Sequence, residues 1–253
     1  MTLNTVQSRS NIYSRTYYST GMPNHVGEWS GSDTPHNARP EWDIKFDYRY
    51  NSLGFRGKEP VPNTPCLISF GCSITEGIGI PEHMRFGDIV ADELNLTHYS
   101  FARGGSDMSE VHNNIHQFFH SHADILDVRK IIILWPALSR FPRLVDDNGT
   151  HTTVSYSYTV NGWEKDFIVH WDKYVAPIFL TNIMRTIEVL CRNKNIQLAQ
   201  TSDGMMFDLG DTPSFISKKE YSKNHCDFGR DHHPGPNSHR YIADVFIKKL
   251  TSD

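Results

Sequence analysis

The chain has 253 residues, enough for one large α/β domain with a full core. A net charge of −4, with 21% charged residues and no basic block, argues against a nucleic-acid partner. Four cysteines, at 66, 72, 191 and 226, show no Cys-x-x-Cys pairing, which fits reduced thiols better than a disulfide framework, and no run approaches the ~18 apolar residues of a membrane span. The start, Met1-Thr2-Leu3-Asn4-Thr5, lacks the basic and apolar regions of a secretory signal, so a cytoplasmic protein is expected.

Residues 1–48 are rich in Tyr, Ser, Asn, Gly and Pro, with Trp29, Trp42 and Phe46 at no helical or alternating spacing. They are expected to form an extended arm laid over the domain by its aromatics, or else a surface for a partner. Residues 49–253 are expected to form the domain proper. Tyr50 to Gly57 reads Tyr-Asn-Ser-Leu-Gly-Phe-Arg-Gly, a turn pinned by Gly54 and Gly57 in which Arg56 is available for an ion pair. Next, Cys66-Leu67-Ile68-Ser69-Phe70 is an apolar run bounded by Pro65 and Gly71, as suits a strand buried on both faces. Ser73 then falls just past the strand's carboxyl end, where open α/β sheets bind ligands, and it can serve there as a nucleophile or as a cap of the next helix.

The segment Gly71-Cys72-Ser73-Ile74-Thr75-Glu76-Gly77 resembles the first block, Gly-Asp-Ser-x-Thr-x-Gly, of the SGNH (GDSL-type) serine hydrolases. Cys72 replaces the block's aspartate. Asn51 to Gly57 is similar to an Asn-x-x-Gly-Phe-Arg-Gly segment found upstream of that block in one branch of the family. Taken with the segments below, the resemblance covers most of the chain from Asn51 onward and implies Ser73 as the nucleophile. A bacterial or phage source is implied as well.

Phe86 to Leu94 has apolar residues at helical spacing, and Thr97 to Phe101 reads as a second strand. It ends in Ala102-Arg103-Gly104-Gly105-Ser106-Asp107, which resembles the family's second block; Gly105 is the implied oxyanion donor, alongside the amide of Ser73. In the following helix Val111, Ile115, Phe118 and Phe119 form a core stripe. His112, His116 and His120 lie beside it as a solvated face, and no acidic or cysteine partner at ligand spacing supports a metal.

Lys130 to Trp135 is the clearest buried strand. Family members commonly follow it with Gly-x-Asn-Asp, the asparagine being an oxyanion donor, but here Trp135-Pro136-Ala137-Leu138-Ser139-Arg140 stands in that place. Trp135, Ser139 and Arg140 are therefore candidate substrate-binding residues. Residues 141–170 interrupt the strand and helix rhythm with the turn signals Asp147-Asn148-Gly149 and Asn161-Gly162 around a β-like run, as an inserted hairpin would. Its Tyr156 and Tyr158 would either face a sugar ring or pair across strands. Ala176 to Cys191 is an amphipathic helix and Ile196 to Thr201 a further parallel strand.

Gly229-Arg230-Asp231-His232-His233-Pro234, followed by a helix over Arg240 to Leu250, resembles the family's last block. By that match His233 is the general base and Asp231 its orienting carboxylate, with His232 as a competitor. The expected fold is a three-layer α/β/α sandwich around a mainly parallel, five-stranded, flavodoxin-like sheet carrying the inserted β-hairpin. The resemblance implies a serine ester hydrolase working through an acyl-enzyme, without cofactor or metal, on an O-acetylated carbohydrate or another small ester. The alternative is a catalytically silent SGNH-like binding or virion-associated module. A third option makes Cys72 the nucleophile.

Overall fold

The computed structural model describes residues 25–29, 44–136, 140–144, 151–155, 175–202 and 234–252. In chain order the elements are β1 (His25–Trp29), β2 (Ile44–Tyr48), β3 (Pro65–Gly71), α1 (Ser73–Glu76), α2 (Phe86–Glu93), β4 (Thr97–Ser100), α3 (Met108–Ser121) and β5 (Asp127–Trp135). They continue with β6 (Arg140–Leu144), β7 (His151–Ser155), α4 (Ala176–Asn193), β8 (Gln197–Ser202) and α5 (Pro236–Thr251).

The central sheet is parallel, with strands ordered β4-β3-β5-β8. Counted along the chain this is 2-1-3-4, the first four places of the flavodoxin-like order. The described residues supply these four strands; a fifth is not among them. The pleat sorts the side chains. Cys66, Ile68 and Phe70 of β3, with Ile131, Ile133 and Trp135 of β5, pack on one face against Val111, Ile115 and Phe118 of α3 and Leu180, Ile183 and Ile187 of α4. On the other face Leu67, Ile132 and Leu134 meet Phe86 and Val90 of α2 and Ile242, Phe246 and Leu250 of α5. The molecule is thus a three-layer α/β/α sandwich, and the uninterrupted apolar run of β3 is explained by burial on both faces.

Two departures from the sequence reading have local causes. The arm at 1–48 carries an antiparallel pair, β1 with β2, in register from His25 opposite Tyr48 to Trp29 opposite Ile44. Ile44-Lys45-Phe46-Asp47-Tyr48 in fact alternates strictly, but over five residues in a Pro- and Gly-rich setting. The last helix starts at Pro236 instead of Arg240, because Gly235 is extended (φ −86°, ψ −175°) and proline suits the first helical position. In the inserted stretch the described residues pair as β6 with β7, antiparallel, Arg140 opposite Ser155.

Candidate active site

The first motif is built by two close approaches. A methyl group on Gly71 would fall 2.0 Å from Thr75 Oγ1 and 2.8 Å from the Leu134 carbonyl oxygen, so the glycine lets α1 fold back on the end of β3 beside β5. Gly77 ends α1 in the left-handed region (φ 77°), and a side chain there would meet Arg85 Cγ at 2.4 Å. Between them Ser73 is the first residue of α1, past the carboxyl end of β3. It is 4% exposed, and among the described residues its hydroxyl finds only Cys72 Sγ at 4.0 Å.

A helix of four residues does not hold itself in place. Arg56 does so from outside. Its guanidinium donates to the carbonyls of Gly77, Glu76 (3.3 Å) and Ile80 (2.7 Å) and lies 4.1 Å over the Tyr48 ring. Arg56 is 1% exposed, and burial, with Arg85 adding to it, pushes its pKa down. The Asn51 to Gly57 turn exists to deliver this side chain. Asn51 Oδ1 accepts from the amides of Leu53 (3.1 Å) and Phe55 (3.0 Å), and its Nδ2 donates to the Lys58 carbonyl (3.2 Å). Both sequence options for the segment therefore meet in Arg56, which shapes the Ser73 turn through backbone carbonyls.

The loop from β4 to α3 lies against the same turn. A methyl on Gly104 would stand 3.8 Å from Ser73 Cβ. Gly105 has φ 81°, and among the described residues there is open space where a side chain would be and no partner for its amide. The next helix is capped by Asp107, whose Oδ1 accepts from Ser109 (2.6 Å) and Glu110 (3.0 Å). Burial, and then the charge of Asp107, raises the Glu110 carboxyl to about 7.

Glu76 joins the two loops. This carboxylate, 8% exposed, accepts from the Gly104 amide at Oε2 (2.5 Å) and from the Tyr50 hydroxyl at Oε1 (3.1 Å). Burial first, then the Glu76 charge and hydrogen bond, raise the Tyr50 pKa and keep the phenol protonated. Arg103, also buried, has its pKa lowered by burial and supported by Glu76 and Glu110. Sequence reasoning passed over Glu76 and Tyr50, since neither position carries a family signature.

A second polar cluster lies under α2. Ser69 Oγ is 2.8 Å from His98 Nε2, and His98 Nδ1 stands 3.1 Å from Asp88 Oδ2, which also accepts from Arg85 Nε (2.7 Å). Ser69 is fully buried, and a methyl on Gly87 would fall 2.4 Å from the His98 ring. No substrate has room there. Burial by itself would raise the Asp88 pKa, but the charges and hydrogen bonds of His98 and Arg85 outweigh it and hold the carboxyl well below the usual range.

Of the other expected site residues, Trp135 is placed in the core at 0% exposure, its Nε1 donating to Gln200 Oε1 (3.1 Å), so it does not line a pocket. Arg140 opens β6. Ser139, Tyr156, Tyr158, Asp231, His232 and His233 lie outside the described residues. His112 and His116 turn their Nε2 atoms toward each other at 2.9 Å, and burial, then His116, lower the His112 pKa. Among the described residues no group of three or more His, Cys, Asp or Glu could hold a metal, and no helix is long and apolar enough to cross a membrane. Cys66, Cys72 and Cys191 are unpaired and buried, and burial pushes the Cys66 and Cys191 thiols up to about 12.

No protein-family model and no curated protein matches the chain. Solved structures do overlap with it loosely. One is a member of the lipolytic protein G-D-S-L family from Veillonella parvula, at 12% identity and TM-score 0.37, over 75% of this chain and 100% of that one. Another is an acetyl xylan esterase from Butyrivibrio proteoclasticus, at 15% identity and TM-score 0.37, over 78% and 65%. A third is a family two carbohydrate esterase from Clostridium thermocellum in complex with cellohexaose, at 14% identity and TM-score 0.41, over 77% and 66%.

Proposed function

We propose that the chain is a serine ester hydrolase with Ser73 as nucleophile. The observation that carries this reading is the meeting of the Ser73 turn with the Gly104-Gly105 loop at the carboxyl edge of the sheet, with the Ser73 hydroxyl uncommitted among the described residues and open space at Gly105. In the proposed cycle His233, oriented by Asp231, takes the hydroxyl proton as Ser73 Oγ bonds to the ester carbonyl carbon. The amides of Ser73 and Gly105 receive the oxyanion. The carbon–oxygen bond to the alcohol then breaks and the alcohol leaves with the proton from His233. Water, deprotonated by His233, attacks the acyl-enzyme and releases the acid.

Cys72 is a poor rival. It is buried at 1% exposure at the junction between β3 and α1, with its sulfur in the packed interior, whereas attack needs an accessible thiolate. The substrate class proposed is a small ester, foremost an O-acetylated carbohydrate, on the strength of Tyr156 and Tyr158 in the inserted segment.

Hydrolysis of p-nitrophenyl acetate, with fluorophosphonate labelling and peptide mapping, tests the reading. Turnover and a label on Ser73, both lost in Ser73→Ala, are expected. A folded wild type that neither turns over nor takes the label would make the silent binding module the better account. Release of acetate from acetylated xylo-oligosaccharides then tests the substrate class.

A further inference from the structure

The proposed nucleophile turn and the glycine loop are separate pieces of chain, and the hydrogen bond of Glu76 spans them. We infer that Glu76 is a positioning residue, whose carboxylate fixes the peptide plane of Gly104 and so aims the following amide, that of Gly105, at the oxyanion; this rests on the esterase reading above.

The geometry is specific. Glu76 Oε2 accepts from Gly104 N–H at 2.5 Å, and its carboxylate charge makes this a charge-assisted bond. The Gly104 amide is thereby committed, which leaves its neighbour at 105 for substrate. Gly105 sits at φ 81° as the third residue of a turn closed by a long bond from the Ser106 amide to the Arg103 carbonyl (3.3 Å), and the Glu76 carboxylate adds a second hold on that turn from across the loop junction. The other carboxylate oxygen is held by the Tyr50 hydroxyl at 3.1 Å, so the carboxylate is fixed at both ends.

A buried anion beside an oxyanion site carries a cost, because it repels the charge that develops on the substrate. The surroundings offset it. The guanidinium groups of Arg56 and Arg103 are both buried and both feel the Glu76 charge favourably. What remains is a rigid acceptor whose charge is offset by two buried cations. Sterics agree: a methyl at Gly104 would lie 3.1 Å from Glu76 Oε2 and 3.0 Å from Ile78 Cδ1, so the loop has no slack toward the turn.

The test compares wild type with Glu76→Gln, Glu76→Asp and Glu76→Ala. Gln keeps an acceptor at the same reach; Asp is too short and Ala has none. The readouts are the Gly104 and Gly105 amide proton shifts by NMR without substrate, and kcat and KM for p-nitrophenyl acetate. A downfield Gly104 amide is expected in wild type and Glu76→Gln, moving upfield in Asp and Ala. The Asp and Ala variants should lose roughly 10- to 100-fold in kcat with KM within about threefold, the size of a misaligned oxyanion donor, while Gln stays within about threefold of wild type. Should Glu76→Ala fail to fold, the Gln and Asp pair carries the same contrast. A Gly104 amide indifferent to position 76 overturns the inference whatever the kinetics, as does a shifted amide with unchanged kcat. A wild type without turnover or label removes the esterase reading itself, and this is told apart because the amide shifts are read with no substrate present.

Discussion

Ser69 and Ser73 lie four positions apart, one inside β3 and one just past it, and they have opposite surroundings. Ser69 has a histidine at 2.8 Å and, behind the ring, an aspartate at 3.1 Å, the side chains usually sought around a nucleophile. It has no access to solvent. Ser73 has no described side-chain base, yet it stands at a loop junction beside a glycine amide without a described partner. The identities Ser, His and Asp do not make a site. Access and backbone donors do, and the first cluster ties α2 to the sheet instead.

The sharpest way to break this comparison is to truncate both serines. Ser73→Ala is expected to lower p-nitrophenyl acetate turnover by about 10³-fold or more with little change in melting temperature. Ser69→Ala should do the reverse, with turnover per folded molecule retained. Turnover lost at Ser69 and kept at Ser73 would invert the assignment.

Next in size is the charge under α2. Asp88→Asn removes the nearer carboxylate of the buried Arg85 guanidinium, leaving Glu82 Oε1 at 3.5 Å, and is expected to cost about 3 kcal/mol by denaturant unfolding. Because the folded pKa of Asp88 is depressed, its stabilisation is complete above the unfolded value of about 4 and is lost as pH falls below it. The gap between variant and wild type should therefore be widest near neutrality and narrow in acid. Ser69→Ala, which leaves His98 Nε2 without its partner, should cost about 1–3 kcal/mol in the same assay.

The smallest effect belongs to the edge. Glu110 is raised to about 7, so the wild type keeps this stabilisation below the unfolded value of about 4 and loses it as pH climbs through 7. Glu110→Gln should be more stable than wild type at pH 8, on the order of 1 kcal/mol after allowance for partial exposure, with the difference vanishing near pH 4. A pH-independent difference would place the effect in packing instead of charge.

The sheet was legible because its signals are long and redundant. Lys130 to Trp135 and Cys66 to Phe70 are apolar runs that fit only strands covered on both faces, and the stripe Val111, Ile115, Phe118 sits where the structure buries it. The β1 and β2 pair was missed because five alternating residues are too few to stand out. Trp135 was read correctly as the end of a buried strand, and only the substrate-binding role also expected for it finds no support in its burial. Strand pairing continues to it opposite Ser202, which keeps its ring inside the pleat. In the site, Gly71, Ser73, Thr75 and Gly77 could be read because their spacing reflects close approaches within one turn. Glu76 and Tyr50 could not, since their partners are 28 and 26 residues away, and a distant pairing leaves no local pattern.

The Arg56 clamp bears on how the Ser73 turn moves. Its guanidinium satisfies carbonyls that a four-residue helix would otherwise leave to water, so the turn cannot fray without first extracting a buried cation from its aromatic cover. The amides of Glu76, Gly77 and Ile78, bonded to Cys72 and Ser73 carbonyls, therefore exchange with solvent only when the sheet itself opens. A segment of only four helical residues is thus expected, in hydrogen-exchange terms, to open slowly.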